Sequence, residues 1–210
     1  MEDYKTIAGG ADAELAEKKS VFRGCARHAE TEAQAREALD EIKRKYPGAG
    51  HYPYAYILRE GSVIRFSDDG EPQSTAGRPI LRVLEAQGLR DALVAVPRVF
   101  GGIKLGAAGL TRAYGAAAAL TLNLAQKGTC GMAAVMTAVC GYGDYGRVND
   151  EMARRGAENV EAVFGAKIAL TAEVRARDAG AFAAAIIELT DGRVKFVKIR
   201  EKRKFFNDIL

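Results

Sequence analysis

Residues 98–129 read RVFGGIKLGAAGLTRAYGAAAALTLNLAQKGT, and the division of the chain is decided there. A strand predicted over 93–99 runs into the pair Gly101 and Gly102; Gly106 and Gly109 follow, and a helix is expected from about Leu110. The run AYGAAAALTLNLA at 113–125 is too short and too rich in alanine to span a bilayer, and it reads as a buried helix. Lys127, Gly128 and Thr129 end that helix and lead into a new strand. The boundary is therefore set there, with a first domain over 1–127 and a second over 128–210.

Downstream the pattern is regular. A strand is predicted over 133–140, a helix over 145–155, strands over 160–164 and 167–174, a helix over 178–189 and a strand over 194–199 after the turn DGR. The order βαββαβ is that of the ferredoxin-like split unit, an antiparallel sheet with helices on one face. The fold class is thus α+β in two domains. The tail EKRKFFND at 201–208 is basic with two phenylalanines, and both docking on the body and mobility stay open for it.

Upstream, EKKSVFRGCAR contains a short strand over 21–25 after a charged approach. Thr31 suits the N-cap of a helix to about Tyr46, with Ala35, Leu39, Ile42 and Tyr46 on one face. Strands over 52–58 and 63–67 are joined by REGS as a hairpin. The stretch DDGEPQSTAG has too many turn formers for an element and reads as a surface loop. A helix follows from Arg78-Pro79 to about Ala86, proline suiting its first turn.

Composition bounds the function classes. Over 210 residues, 48% are hydrophobic and 28% charged, the profile of a folded globular chain. The amino terminus MEDYKTIAGG lacks the apolar core of a signal peptide, so a cytoplasmic protein without membrane contact is expected. The net charge of +4 is shared evenly by the two halves, so any phosphate-binding role must come from a local patch. Cys25, Cys130 and Cys140 have no paired spacing and read as small buried hydrophobes. With His28 and His51 the only histidines, no metal site and no cofactor is expected.

Two stretches could carry chemistry. In RVFGGIKLGAAG, glycines permit positive φ and close approach, and the amino end of the following helix offers unpaired N–H groups to an anion. Arg98, Lys104 and Arg112 add charge around Gly101, Gly102 and Gly106. The stretch is neither a Walker loop nor a dinucleotide fingerprint, because Lys104 precedes Gly106 and Leu105 separates them. The same glycines would also serve a sharp turn and close helix packing alone. In SDDGEPQSTAGRP, Ser67, Asp68, Asp69, Gly70, Glu71 and Thr75 form an acidic turn. Its carboxylates could cap backbone N–H groups, meet a polar partner or act as acid and base, but they lack the ligand alternation of a calcium loop. No nucleophile, base and orienter assemble there, so no catalytic residue is assigned. Arg98, at the end of an apolar strand, is expected to be held by Asp68, Asp69 or Glu71. The alternating Tyr52, Tyr54 and Tyr56 either stack nucleobases or, in continuity with Leu58, enter the core, and the core is favoured.

These stretches resemble the YigZ/Impact family. The resemblance is carried by EKKSVF at 17–22, YPGAGHYPYAY at 46–56, FSDDGEPQSTAGRPIL at 66–81 and RVFGGIKLGAAGLTRAYG at 98–115. It implies a first domain of the fold shared by a ribosomal protein domain and elongation factor G, and a second similar to another elongation factor G domain. The family carries arginine where Val21 stands, an aromatic where Val99 stands and glycine where Ala108 stands, so one donor and one stacking surface are missing here. The resemblance implies regulation of translation, and the leading expectation is a non-catalytic factor. It would contact RNA, the ribosome or a translation-associated protein through Arg98, Lys104, Arg112 and the acidic turn. An enzyme acting on a small anionic metabolite in the first-domain cleft and a protein-docking module are the alternatives.

Overall fold

The computed structural model describes residues 2–59 and 62–207, so Glu60 and Gly61 of the expected REGS turn and Asp208 of the tail lie outside the described residues. The elements run β1 (Tyr4–Ile7), β2 (Ala11–Glu17), β3 (Ser20–His28), α1 (Glu32–Lys45), β4 (Tyr54–Ile57), β5 (Ile64–Ser67), α2 (Gly77–Ala86), β6 (Ala92–Ala95), β7 (Arg98–Val99) and α3 (Gly106–Leu124). They continue with β8 (Lys127–Cys140), α4 (Tyr145–Arg154), β9 (Glu158–Phe164), β10 (Ile168–Arg175), α5 (Ala179–Leu189) and β11 (Lys195–Phe206). Two compact units result, one mainly Tyr4–Thr129 and the other mainly Cys130–Phe206. The fold class is α+β, with two antiparallel sheets. Among the described residues no helix is long and apolar enough to cross a membrane.

In the first unit the sheet order is β2-β3-β6-β4-β5, with β7 on β3. The sheet is covered on both faces. On one, α2 and α3 bury Ile80, Leu81, Leu84, Tyr114 and Leu122 against Phe22, Ala55, Ile57 and Val94. On the other, α1 sets Ala35, Leu39 and Ile42 against Cys25, Tyr56, Leu58 and Leu93. Burial of apolar surface on two faces of one sheet stabilises this unit, each fully buried Leu, Ile or Phe side chain contributing about 1.5–3 kcal/mol. β4 is thus buried on both sides. Tyr56 and Leu58 belong to the α1 face, and Tyr54, half-buried there, stacks on Tyr56 at 5.9 Å, so these two tyrosines of the row serve the core. Thr31 caps α1 as its sequence suggests, its hydroxyl accepting the Gln34 N–H at 3.2 Å.

In the second unit the observed order is βαββαβ. β8 lies between β11 and β10, and β9 flanks β10. β10 is antiparallel to both neighbours, with Leu170 opposite Ala138 and opposite Ala162. Met136, Leu170, Val148, Met152, Phe182 and Ile186 form its core, because alternate strand residues turn inward onto α4 and α5.

Several boundaries differ from those read in the sequence. β1 and β2 were not expected; in β2 the alternating partners of the half-buried Ala11, Ala13 and Leu15 are charged or exposed, which hides a strand inside a charged approach. The strand expected over 93–99 is two, because Pro97 lacks an N–H and interrupts pairing between β6 and β7. α3 starts at Gly106, four residues earlier than expected, since glycine and alanine fill its first turn without an apolar period. β8 begins at Lys127 and β11 continues to Phe206, so the basic tail is strand and neither a separate docked segment nor a mobile one up to that residue. Lys202 and Lys204 there donate to Glu173 at 2.6 and 2.7 Å. All three cysteines are free and buried; burial first, and then the Asp12 carboxylate, push the Cys25 thiol up to about 12.

Candidate functional site

The site is assembled where β7 meets the acidic turn. Arg98 pairs opposite Phe22 on β3, which sends its side chain inward, where it is only 7% exposed. Its Nη1 donates to Glu71 Oε1 at 2.7 Å, and its Nη2 lies 3.4 Å from Ser20 Oγ. Tyr114 on α3 donates its hydroxyl to the same Glu71 oxygen at 2.6 Å. Burial first, and then this hydrogen bond, raise the Tyr114 phenol far above its ordinary range, so it stays protonated. Phe22 meets Tyr114 edge to face at 5.0 Å, and the guanidinium lies over the Phe22 and Phe100 rings at 5.4 Å each. Glu71 is thus the acid that holds Arg98, and the glycine-rich and acidic stretches are one site.

The acidic turn is rigid for local reasons. Asp68 accepts three backbone N–H groups, from Ser74 at 2.7 Å and from Ala76 and Gly77 at 2.9 Å, and so caps the start of α2, which has no side-chain cap of its own. Asp69 accepts the Tyr52 N–H at 2.6 Å, while its carbonyl accepts from His51 Nδ1 at 2.8 Å. Ser67 accepts the Asp69 N–H, and Thr75 donates to the Pro72 carbonyl. Gly70 has φ +85°, the left-handed region that favours glycine. The aspartate carboxylates thus hold backbone N–H groups of the turn itself and of Tyr52. Among the described acidic residues, only Glu71 lines the cavity described next.

That cavity, of about 480 Å³, is lined by Gly50, His51, Glu71, Pro72, Arg98, Phe100, Lys104, Leu105, Gly106, Ala107 and Leu110. It opens on the amino end of α3, where Leu105 gives no side-chain cap and the N–H groups of the first turn are left for an outside acceptor. Lys104 is exposed beside it. Backbone bonds fix the remaining wall, from Arg98 N–H to the His51 carbonyl and from Gly50 N–H to the Arg98 carbonyl, both 3.0 Å.

Of the residues singled out in the sequence, Arg98, Lys104, Gly106 and Glu71 line the cavity. Arg112 is exposed on α3 and is not among its lining residues. Gly101, Gly102, Ser67, Asp68, Asp69, Gly70 and Thr75 are likewise not among its lining residues. The buried Glu71 pairing changes the part that Arg98 can take, since a neutralised guanidinium is a wall and not a free cation. Sequence reasoning missed Phe100, 53% exposed at the mouth, and the place of His51 in the wall. The neighbouring glycines were the available signal for Phe100, because an apolar ring carried on a turn has little core to enter.

Residues 18–122 match the Impact N-terminal domain, and residues 139–193 match a domain of unknown function, DUF1949. The chain is 32% identical over 194 residues to the IMPACT family member YvyE of Bacillus subtilis, covering 92% of this chain and 89% of the relative. It is 48% identical over 110 residues to an IMPACT family member of Thermus thermophilus, covering 52% of this chain and 59% of the relative. A crystal structure described as that of a hypothetical protein is similar with a TM-score of 0.61 at 25% identity, covering 95% of this chain and 98% of the other.

Proposed function

This chain belongs to the IMPACT family, and from that premise we propose that its first unit binds RNA as a non-catalytic factor in the regulation of translation. The observation that carries the reading is the cavity mouth. There an uncapped 19-residue helix, the exposed Lys104 and the exposed Phe100 ring lie within one lining. Helix N–H groups and an ammonium suit a phosphate, and an open ring at its edge suits a nucleobase. Arg98 and Glu71 contribute by holding the two loops at that spacing.

Binding of labelled single-stranded RNA, duplex RNA and isolated ribosomal particles across a salt series tests this, beside Lys104→Ala and Phe100→Ala variants. Affinity should fall with salt in the wild type, because phosphate contacts release counterions, and should drop in both variants. A folded protein with no RNA affinity at low salt would sink the reading. A second reading has one observation behind it: the cavity volume lies in the range of small-ligand sites, and its wall is mostly apolar with few polar groups. Flat RNA traces together with binding of a small anionic metabolite, lost on Lys104→Ala, would favour that alternative.

A further inference from the structure

β2 and β3 pair down to Glu17 opposite Ser20, which leaves Lys18 and Lys19 as a two-residue turn. Both have positive φ, 45° and 65°. A two-residue hairpin turn with both φ positive is of the type that Asn-Gly makes at low cost, and a Cβ on each residue makes it unfavourable. Both lysines are exposed. Among the described residues, the ion pairs of this hairpin run along its sides, Arg23 to Glu14 and Arg27 to Asp12, and leave the tip out.

The tip is held against the cavity loop. A Cβ on Gly101 would sit 2.0 Å from the carbonyl carbon and oxygen of Lys19, so glycine there lets the two backbones touch. Ser20 Oγ accepts the Gly101 N–H at 3.2 Å and fixes the contact. Gly101 is preceded by Phe100 and followed, three residues on, by Lys104, both in the cavity wall. The hairpin tip is therefore joined by backbone contact at Gly101 to the loop that carries the exposed Phe100 and Lys104.

Backbone strain at an exposed tip is explained when the side chains it presents have a use. We propose that Lys18 and Lys19 form a second phosphate contact, so that the ligand of this unit is a single-stranded RNA several nucleotides long and not a mononucleotide. The inference rests on the RNA reading above. One nucleotide occupies the cavity mouth against Phe100 and Lys104, and neighbouring phosphates lie on the hairpin tip. The exposed Phe100 ring on that loop is the reason to prefer RNA to an acidic peptide, which would use the charges and leave the ring idle.

The test is Lys18→Asn/Lys19→Gly in the full chain, which removes both charges and installs the low-strain turn. Thermal unfolding should rise by about a few degrees. Affinity for a short oligouridylate at low salt should fall roughly tenfold, with the slope of log K against log salt smaller by about 1.4, since each single-strand phosphate contributes about 0.7. Binding of uridine monophosphate should not change. Lys18→Gln/Lys19→Gln should lose the same affinity without the gain in thermal stability. Unchanged oligouridylate affinity and slope in both variants would overturn the proposal, as would a melting temperature lowered by Asn-Gly. Polyglutamate binding that needs the lysines, with oligouridylate binding indifferent to Phe100→Ala, would assign the surface to an acidic protein instead. A wild type that binds no oligouridylate sinks the RNA reading itself, whereas a wild type that binds it no better than the Asn-Gly variant sinks only the hairpin contact.

Discussion

Glu71→Ala leaves the Arg98 guanidinium, 7% exposed, without its carboxylate, and orphans the Tyr114 hydroxyl as well. Removing one member of a buried pair typically costs about 3–5 kcal/mol, because the remaining charge is uncompensated. Urea unfolding should register a loss of that order. The triple change Glu71→Leu/Arg98→Met/Tyr114→Phe should cost less than Glu71→Ala alone; a larger loss would mean that the polar cluster is more than a satisfied pair. The adjacent glycines separate two reasons for having no side chain. At Gly101 a Cβ meets the Lys19 backbone at 2.0 Å, whereas at Gly102, with φ +83°, a Cβ meets nothing within 4 Å. Gly102→Ala should therefore cost only the backbone strain, about 1–2 kcal/mol. Gly101→Ala must displace the hairpin tip and should cost more, and equal melting temperatures for the two variants would contradict the packing described.

Among elements, β11 depends on a carboxylate of β10. Burial alone would raise Glu173, but hydrogen bonds from Lys202, Lys204 and Asn159 outweigh it and bring the carboxyl down to about 2. A folded pKa below the unfolded value of about 4.3 means stability that is present above that value and is lost as pH falls through the folded one. Unfolding of the second unit, followed by urea melts at stepped pH, should weaken between about pH 4 and 2. Glu173→Gln should flatten that dependence, and a dependence that it leaves unchanged would place the titrating group elsewhere. The elements themselves were legible to different degrees. α1 announced its cap and its apolar face, and β4 and β5 announced a hairpin. β2 and β3 did not, because their turn is Lys18-Lys19 and lacks the asparagine or glycine that usually signals it.

For the whole molecule, all residues lining the cavity and all members of the two cores around the first sheet lie between Tyr4 and Thr129. A fragment of residues 4–129 should therefore fold, and should bind RNA within about threefold of the full chain. Loss of binding by a fragment with native-like circular dichroism would require a part for the second unit in recognition. By itself the sequence determined the two-part α+β plan and the βαββαβ order of the second unit. It also located the acidic and glycine-rich stretches, because hydrophobic period, capping residues and glycine clusters are local properties of a chain. Only the tertiary structure decided which acid holds Arg98, that the aspartates face their own loop, and that Phe100, His51 and the lysine tip share the glycine loop's surroundings. Those choices depend on distances between residues 27 to 81 positions apart in the chain, as from Glu71 to Arg98 and from Ser20 to Gly101, and packing, not local pattern, sets such distances.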